Sequence, residues 1–324
     1  MTKNKRVKLP VPNEMRDETS NVHRAFFSHL IDYAGMFPPA SLSLDEAVRN
    51  YAAYLKSDDA WMLGRFVCFA SQLAELDAYA ELFDERVPLK ISALGVKNPT
   101  RQEFVREFET TRTQIETFNA RWAGQGCVDA AEIMIPTNFD EIYFLGGAWA
   151  KEGKTQNVKL FVEIPFDGEW ADSLPRVLDA LAIQNIGFKL RTGGIVASAF
   201  PTTEQIARAI IACRERGVLL KCTAGLHHPL RKFDASVPTT MHGFVNVFGA
   251  GILALARGLP EKVMREILAE TDANNFCFDE NAFAWRDVRA TDAEIANARR
   301  ALMLSFGSCS FDEPRDELRA LRWL

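Results

Sequence analysis

The sequence has few cysteines and no pattern among those it has. Its six cysteines are scattered along 324 residues, mostly inside apolar runs, and none forms a Cys-x-x-Cys pair. This distribution indicates buried, reduced thiols rather than a disulfide framework, and it favours a cytoplasmic protein. No apolar stretch follows the basic N-terminal segment, so we expect no secretory signal. We expect residues 1–18 to form a flexible tail and residues 19–324 to form a single domain.

The sequence also lacks a basic stripe interleaved with aromatic residues, and its net charge is −5. That balance argues against a nucleic-acid surface. Its longest apolar runs fall well short of the roughly 20 residues that a membrane helix needs. We therefore expect neither nucleic acid nor membrane as a partner, and expect a small-molecule substrate instead. The sequence is compatible with a homo-oligomer.

No Gly-x-Gly-x-x-Gly motif follows the first predicted strand, which disfavours a doubly wound open sheet. From residue 64 onward, short β-like runs alternate with amphipathic helical stretches, and the centres of most runs recur roughly every 25 to 32 residues. This is the spacing of a strand plus its returning helix. The predicted strands are Arg65–Ser71, Leu89–Gly95, Ala131–Pro136, Lys159–Phe166, Ile186–Thr192, Val218–Ala224, Gly243–Gly249 and Asn275–Asn281. Eight such units predict an α/β fold that resembles the TIM-type (β/α)₈ barrel, with an N-terminal helical extension.

The extension begins with a predicted helix at Ser20–Ile31 and an apolar loop at Asp32–Pro39. That loop either plugs the bottom of the barrel or covers its mouth as a lid, and in the second case Asp32 becomes a site residue. Further helices are predicted from the capping box Ser43-x-x-Glu46 to about Lys56, over Arg101–Trp122, over Thr203–Gly217 and from about Asp292. The segment Ser305–Pro314 is predicted to be an ordered loop.

Two neighbouring predicted strands end in polar runs that a fold alone does not require. Side chains alternate along a strand, so Lys189 shares a face with Arg191, as Lys221 does with Thr223. Active sites of such barrels lie at the carboxyl ends of the strands. Alternation there predicts one polar ring above the barrel, with two histidines in the loop over it. Its members are Glu163, Lys189, Arg191, Lys221, Thr223 and Asn246, with His227 and His228 above.

Lys221 is the strongest candidate for a catalytic residue. A lysine among other cations in a partly dry pocket has its ammonium form disfavoured, which lowers its pKa and frees the amine to attack a carbonyl. Lys189 or Arg191 would supply the neighbouring charge, and Glu163 would move protons. The alternative is an interior lysine paired with Glu163 for structural reasons.

The run Lys221-Cys-Thr-Ala-Gly225 resembles the strand-six Lys-x-Thr-x-Gly pattern of the deoxyribose-phosphate aldolase family, in which that lysine forms a Schiff base. The resemblance implies carbon–carbon lyase chemistry carried by Lys221. The chain departs from the family at two places. Gly243–Gly249 contains no second lysine, and Met134 stands on the third predicted strand where the family has an acid. If a second lysine acts, it is Lys189.

The pair His227-His228 has three interpretations. One of the two histidines acts as a general acid or base, both are structural, or they bind a metal ion with Glu163, Asp279 or Glu280. No metal-ligand spacing supports the last interpretation, so we predict no cofactor while a metal ion stays an alternative.

Glycines near Arg191 suggest binding of an anion. Gly193 and Gly194 would present backbone N–H groups beside the guanidinium, and Gly249 with Gly251 resembles the phosphate-binding position of barrels. Tight turns are the alternative. Together these observations predict a lyase with Schiff-base or enolate chemistry on a small anionic carbonyl or sugar-like substrate. The alternatives are a metal-assisted hydrolase or isomerase, and a barrel that binds an anion without catalysis.

Overall fold

Eight parallel strands close into a barrel in the computed structural model, which describes residues 21–95, 100–135, 142–143, 145–150, 155, 157–165 and 170–324. The strands are β1 (Ile31–Tyr33), β2 (Leu63–Phe69), β3 (Leu89–Leu94), β4 (Gly126–Met134), β5 (Lys159–Glu163), β6 (Gly187–Arg191), β7 (Leu220–Thr223) and a last strand, Met303–Ser308. The predicted (β/α)₈ barrel is confirmed. The expected tail at residues 1–18 lies outside the described residues.

Helices connect the strands and pack around the barrel. They are α1 (Asn21–Phe27), α2 (Leu44–Tyr54), α3 (Arg101–Arg121), α4 (Leu145–Trp149), α5 (Trp170–Ile183), α6 (Thr203–Arg216), α7 (Phe244–Arg257), α8 (Glu261–Ala269), α9 (Asp292–Ala301) and α10 (Asp312–Ala320). The predicted capping box is confirmed, because the Ser43 hydroxyl accepts from the Glu46 N–H at the start of α2. None of the described helices is long and apolar enough to cross a membrane.

Two of the eight predicted barrel strands were wrong. Gly243–Gly249 is not a strand but the beginning of α7, whose residues 244–254 are all buried, so every side of this part of the helix packs against the protein. Asn275–Asn281 contains β10 (Phe276–Phe278), which lies outside the barrel in an antiparallel sheet with β11 (Ala282–Trp285) and β12 (Val288–Thr291). A short hairpin, β8 (Lys232–Asp234) with β9 (Thr239–Met241), also lies outside it.

The two strands that take their places come from the ends of the chain. β1 lies within the segment predicted as helix and loop, and β13 (Met303–Ser308) includes the start of the loop predicted at Ser305–Pro314. They pair with each other in parallel, with Asp32 opposite Gly307, and so close the barrel. The remainder of the Asp32–Pro39 segment follows the carboxyl end of β1 and lines the cavity there. The interpretation of this segment as a plug at the bottom of the barrel is therefore wrong.

Candidate active site

Strands β6 and β7 bring the two lysines together as predicted. They pair in parallel with Lys189 opposite Lys221 and Arg191 opposite Thr223. Both lysines point into the barrel, where Lys189 is 8% exposed and Lys221 is 1% exposed. A lysine is almost never fully buried unless it is paired, so the partners of these two groups determine what they can do.

Lys221 reaches across the barrel to strands on its far side. Its Nζ lies 2.8 Å from Asp32 Oδ2 on β1 and 2.9 Å from the Ser92 hydroxyl on β3, and it contacts the Glu132 carboxylate on β4. Asp32 is held in turn, since its carboxylate accepts the Ser305 hydroxyl at 2.7 Å and the Arg65 backbone N–H at 2.6 Å. The amine is therefore fixed in position by groups that can accept or donate a proton.

Lys189 lies between two carboxylates. Its Nζ is 2.8 Å from Glu132 Oε2 and 3.0 Å from Glu163 Oε2, and Arg191 binds the other oxygen of Glu163 at 2.9 Å. Burial disfavours the charged forms of Lys189, Glu132 and Glu163, but the attraction between these opposite charges is stronger than the effect of burial. The pKa of Lys189 is raised, and the pKa values of Glu132 and Glu163 are lowered. All three groups are therefore ionised at neutral pH.

The prediction that cations surround Lys221 was wrong. Its nearest charged atoms are carboxylate oxygens of Asp32 and Glu132 rather than the cations of Lys189 and Arg191. The alternative pairing of Lys221 with Glu163 is wrong as well, because Glu163 binds Lys189 and Arg191. The Lys221 side chain therefore has two proton acceptors, Asp32 and Glu132, next to its Nζ.

Glu132 is the main site residue that the sequence reasoning missed. The run Ala131–Pro136 was recognised as a strand, but only Met134 at its end was weighed as a site position. Residues two apart on a strand share a face, so the same alternation points to Glu132. Asp32 was predicted as a site residue only if the Asp32–Pro39 loop covers the mouth of the barrel as a lid. Ser92 and Ser305 carry no signal without the barrel closure that brings them to Lys221 and Asp32.

A cavity of about 330 Å³ opens above these charges at the carboxyl ends of the strands. Lys221, Lys189, Glu132 and Glu163 line its floor, and Arg191, Thr223 and Gly194 line one side. Its volume lies at the lower end of the roughly 300–1,000 Å³ typical of ligand pockets. Lys221 thus borders a cavity large enough for a small molecule.

Gly193 helps to form this cavity through packing. A Cβ on Gly225, whose φ is +73°, would lie 2.7 Å from the Gly193 Cα, so the loops after β6 and β7 approach as only glycines allow. This close approach holds the loop residues beside Arg191 and Thr223 in place.

The two histidines have different surroundings. His227 lines the cavity, with Nδ1 at 3.5 Å from Glu313 and 3.8 Å from the Cys309 sulfur. Burial alone would lower the pKa of His227, but the interactions with Cys309 and Glu313 outweigh it and raise this pKa to about 10. His228 instead binds Glu317 at 2.8 Å and faces Asp234.

Neither histidine contacts Glu163, Asp279 or Glu280, the carboxylates expected for a metal site. Within the described ranges no group of three or more His, Cys, Asp or Glu side chains could hold a metal ion.

Three residues expected in the site lie elsewhere. Asn246 is in α7, where its side chain accepts the Arg231 N–H and donates to the carbonyls of Ile267 and Glu270. Gly249 and Gly251 are inside the same helix, and their missing side chains make room for Phe283 and Met303. The expected position of Asn246 in the polar ring is therefore wrong, as is the phosphate-binding position expected at Gly249 and Gly251, because both glycines lie inside a helix rather than in a loop or turn before one.

Compared with known proteins, the chain matches no protein-family model and no curated protein. The resemblance to the deoxyribose-phosphate aldolase family thus stays at the level of one short motif. Lys221, which carries that motif, lies on the seventh barrel strand in chain order, not the sixth.

Proposed function

We propose that this protein is an enzyme that joins Lys221 to a carbonyl substrate as a Schiff base and uses it for lyase chemistry on a carbon–carbon bond. One observation carries the proposal. A lysine that is 1% exposed ends at the floor of an open cavity, within hydrogen-bond distance of Asp32, Glu132 and Ser92. Burying a charged amine is costly unless it is paired, and a fold does not require such a group at the end of a ligand-sized cavity.

The first half of the reaction uses the contacts of Lys221. Asp32 accepts a proton from the ammonium, and the neutral amine attacks the carbonyl carbon to give a carbinolamine. A protonated carboxyl of the same cluster returns the proton to the carbinolamine oxygen, and water leaves to give the iminium. The iminium keeps a positive charge at the position of the ammonium. Asp32 and Glu132 therefore stabilise both states of the nitrogen.

The second half breaks the carbon–carbon bond. A base removes the proton of the hydroxyl group on the β carbon, that hydroxyl becomes a carbonyl, and the electron pair of the bond moves to the iminium to form an enamine. Protonation of the enamine carbon and addition of water then release the second product and restore the Lys221 amine. Glu163 is a poor base for this step because Lys189 and Arg191 hold its pKa low. Lys189 and Lys221 hold the pKa of Glu132 low in the same way, so Asp32 is the carboxylate beside Lys221 that we assign as the base.

The other two functions predicted from the sequence have less support. At the cavity floor Lys189 and Lys221 face three carboxylates, Asp32, Glu132 and Glu163, so a barrel that binds an anion without catalysis would leave both buried lysines unused. A metal-assisted hydrolase needs a ligand set that the described residues do not provide.

The test is trapping of the Schiff base with borohydride in the presence of small aldehydes, ketones and keto acids. We expect one reduced adduct on the wild-type protein, mapped to Lys221 by peptide mass analysis. An adduct that forms only on exposed lysines, or none with any carbonyl compound, would refute the proposal.

Matched variants separate the site from general lysine reactivity. Lys221→Met should abolish the adduct, whereas Lys262→Met, which removes an exposed lysine on α8, should leave it unchanged. Lys221→Met removes the buried lysine partner of Asp32 and one of the two lysine partners of Glu132, so its folding must be confirmed by circular dichroism. The adduct position in the wild type decides the question even if that variant does not fold.

A further inference from the structure

The cavity above Lys221 has two unlike walls. The residues contributed by β2, β3, β4 and the segment after β1 form what we call the apolar wall. Its main members are Phe37, Pro38, Phe69, Leu94, Ile133 and Met134. Residues from β6, β7 and the loop after β7 form the polar wall, represented by Arg191, Thr223 and His227. The Lys221 amine lies between the two walls, at the floor.

The apolar wall is built around two phenylalanines at the mouth. The rings of Phe37 and Phe69 are 5.4 Å apart at an interplanar angle of 55°, and Phe69 is 37% exposed. Below them the wall continues to Val67, which is 5% exposed. Aromatic rings beside a deep cavity bury further apolar area only when a ligand covers them. A small sugar-like molecule would leave this wall uncovered.

The polar wall suits an anionic group. The Arg191 side chain is 31% exposed while it binds Glu163, so part of its guanidinium faces the cavity. His227 is on the same side, with its Nδ1 3.5 Å from Glu313, and its interactions with Cys309 and Glu313 raise its pKa to about 10. The Thr223 hydroxyl adds a hydrogen-bonding group beside them. A carboxylate on the substrate could meet these groups without leaving the cavity.

We propose that the substrate is an amphipathic carbonyl compound with an aryl or bulky alkyl group on one side of its carbonyl carbon and a carboxylate on the other. This inference rests on the proposed function for the position of the carbonyl over Lys221. The ring or alkyl group lies against the apolar wall, and the carboxylate faces Arg191 and His227. The enzyme would then favour aryl-substituted or alkyl-substituted oxo acids over sugar phosphates.

The first test uses compounds that cannot form a Schiff base, so it is independent of the proposed chemistry. Binding of 4-phenylbutanoate and butanoate to the wild-type protein is measured by isothermal titration calorimetry. Burial of a phenyl group against the apolar wall should make 4-phenylbutanoate bind at least about tenfold more tightly. The uncharged 4-phenylbutanamide should bind about tenfold more weakly than the acid, because it loses the charge that Arg191 and His227 recognise.

A matched pair of variants locates the effect. Phe69→Ser removes an aromatic ring from the apolar wall, and Phe233→Ser removes an exposed phenylalanine, 62% accessible, from the hairpin outside the barrel. We expect the preference for the phenyl compound to fall severalfold in the first variant and to be unchanged in the second. Melting temperatures confirm that both variants fold.

The outcomes separate this proposal from the proposed function. Equal affinities for the two acids, no binding of either at millimolar concentration, or an unchanged preference in Phe69→Ser would each overturn the amphipathic substrate. Trapping at Lys221 could still succeed in those cases. A clear phenyl preference without any borohydride adduct would support the substrate class and refute Schiff-base chemistry.

Discussion

Glu132 bridges the two buried lysines, so its replacement by glutamine should be among the most destabilising single changes at the site. The carboxylate lies 2.8 Å from Lys189 Nζ and also contacts Lys221, and all three side chains are buried. Glutamine keeps the shape but removes the charge, and its amide nitrogen would face an ammonium group with a donor opposite a donor.

The size of the effect follows from the partners that remain. After Glu132→Gln, Lys221 keeps Asp32 and Lys189 keeps Glu163, so each buried ammonium loses one of two anionic neighbours. Removing one partner of a buried ion pair costs about 3–5 kcal/mol. At roughly 2 °C per kcal/mol for a protein of this size, the melting temperature should fall by about 6–10 °C.

The difference in melting temperature between the wild type and Glu132→Gln should depend on pH. The pKa of Glu132 in the folded state is lowered from its ordinary value of 4.5, so its contribution to stability is present above that value and is lost as pH falls. The gap in melting temperature should therefore be full near pH 7 and shrink below about pH 4.5. Calorimetric scans across this range provide the measurement.

A matched control is Glu81→Gln, a change at an exposed glutamate, which should shift stability by no more than about 0.5 kcal/mol. The reasoning is refuted if Glu132→Gln melts within 2 °C of the wild type, or if the gap is constant with pH.

Two further predictions concern the loops above the site. Gly225→Ala places a Cβ 2.7 Å from the Gly193 Cα at a φ of +73°, so we expect it to cost clearly more in urea unfolding than Gly217→Ala, where φ is +65° and nothing lies within 4 Å. Gly217→Ala should cost about 1 kcal/mol, and equal costs would contradict the close approach of the loops. In an NMR titration, His227 should stay protonated up to about pH 10, and His242, whose pKa burial lowers to about 4, should stay neutral above pH 5. A midpoint near 6.5 for His227 would contradict its interactions with Cys309 and Glu313.

The sequence predicted the barrel correctly but not its first and last strands. β1 has three residues and is followed by a glycine and two prolines, so it has no run long enough to recognise. β13 places Ser305 on the face that meets Asp32, so a polar residue points into the barrel where the alternation of a strand usually places an apolar one. Gly243–Gly249 was mistaken for a strand because a short apolar run does not distinguish a buried strand from a buried helix.

The site was predictable where strand alternation was enough. The alternation placed Lys189 beside Lys221, and Arg191 beside Thr223, as the register of β6 and β7 confirms. It could not reveal which charges pair across the barrel, because Lys221 meets residues of β1, β3 and β4 only after closure. Pairing across the lumen depends on the three-dimensional arrangement of all eight strands.

The contact between β1 and β13 has a consequence for how the protein is made. Ser305 and Asp32 are 273 positions apart, yet they share the hydrogen bond that fixes the carboxylate beside the Lys221 amine. During synthesis, both lysines of the site are added to the chain before the strand Met303–Ser308, which closes the barrel around them. A chain truncated before Met303 would therefore carry every charged residue of the floor and still lack the final strand that seals it. The position of Asp32 beside Lys221 therefore depends on the strand Met303–Ser308 being folded in place.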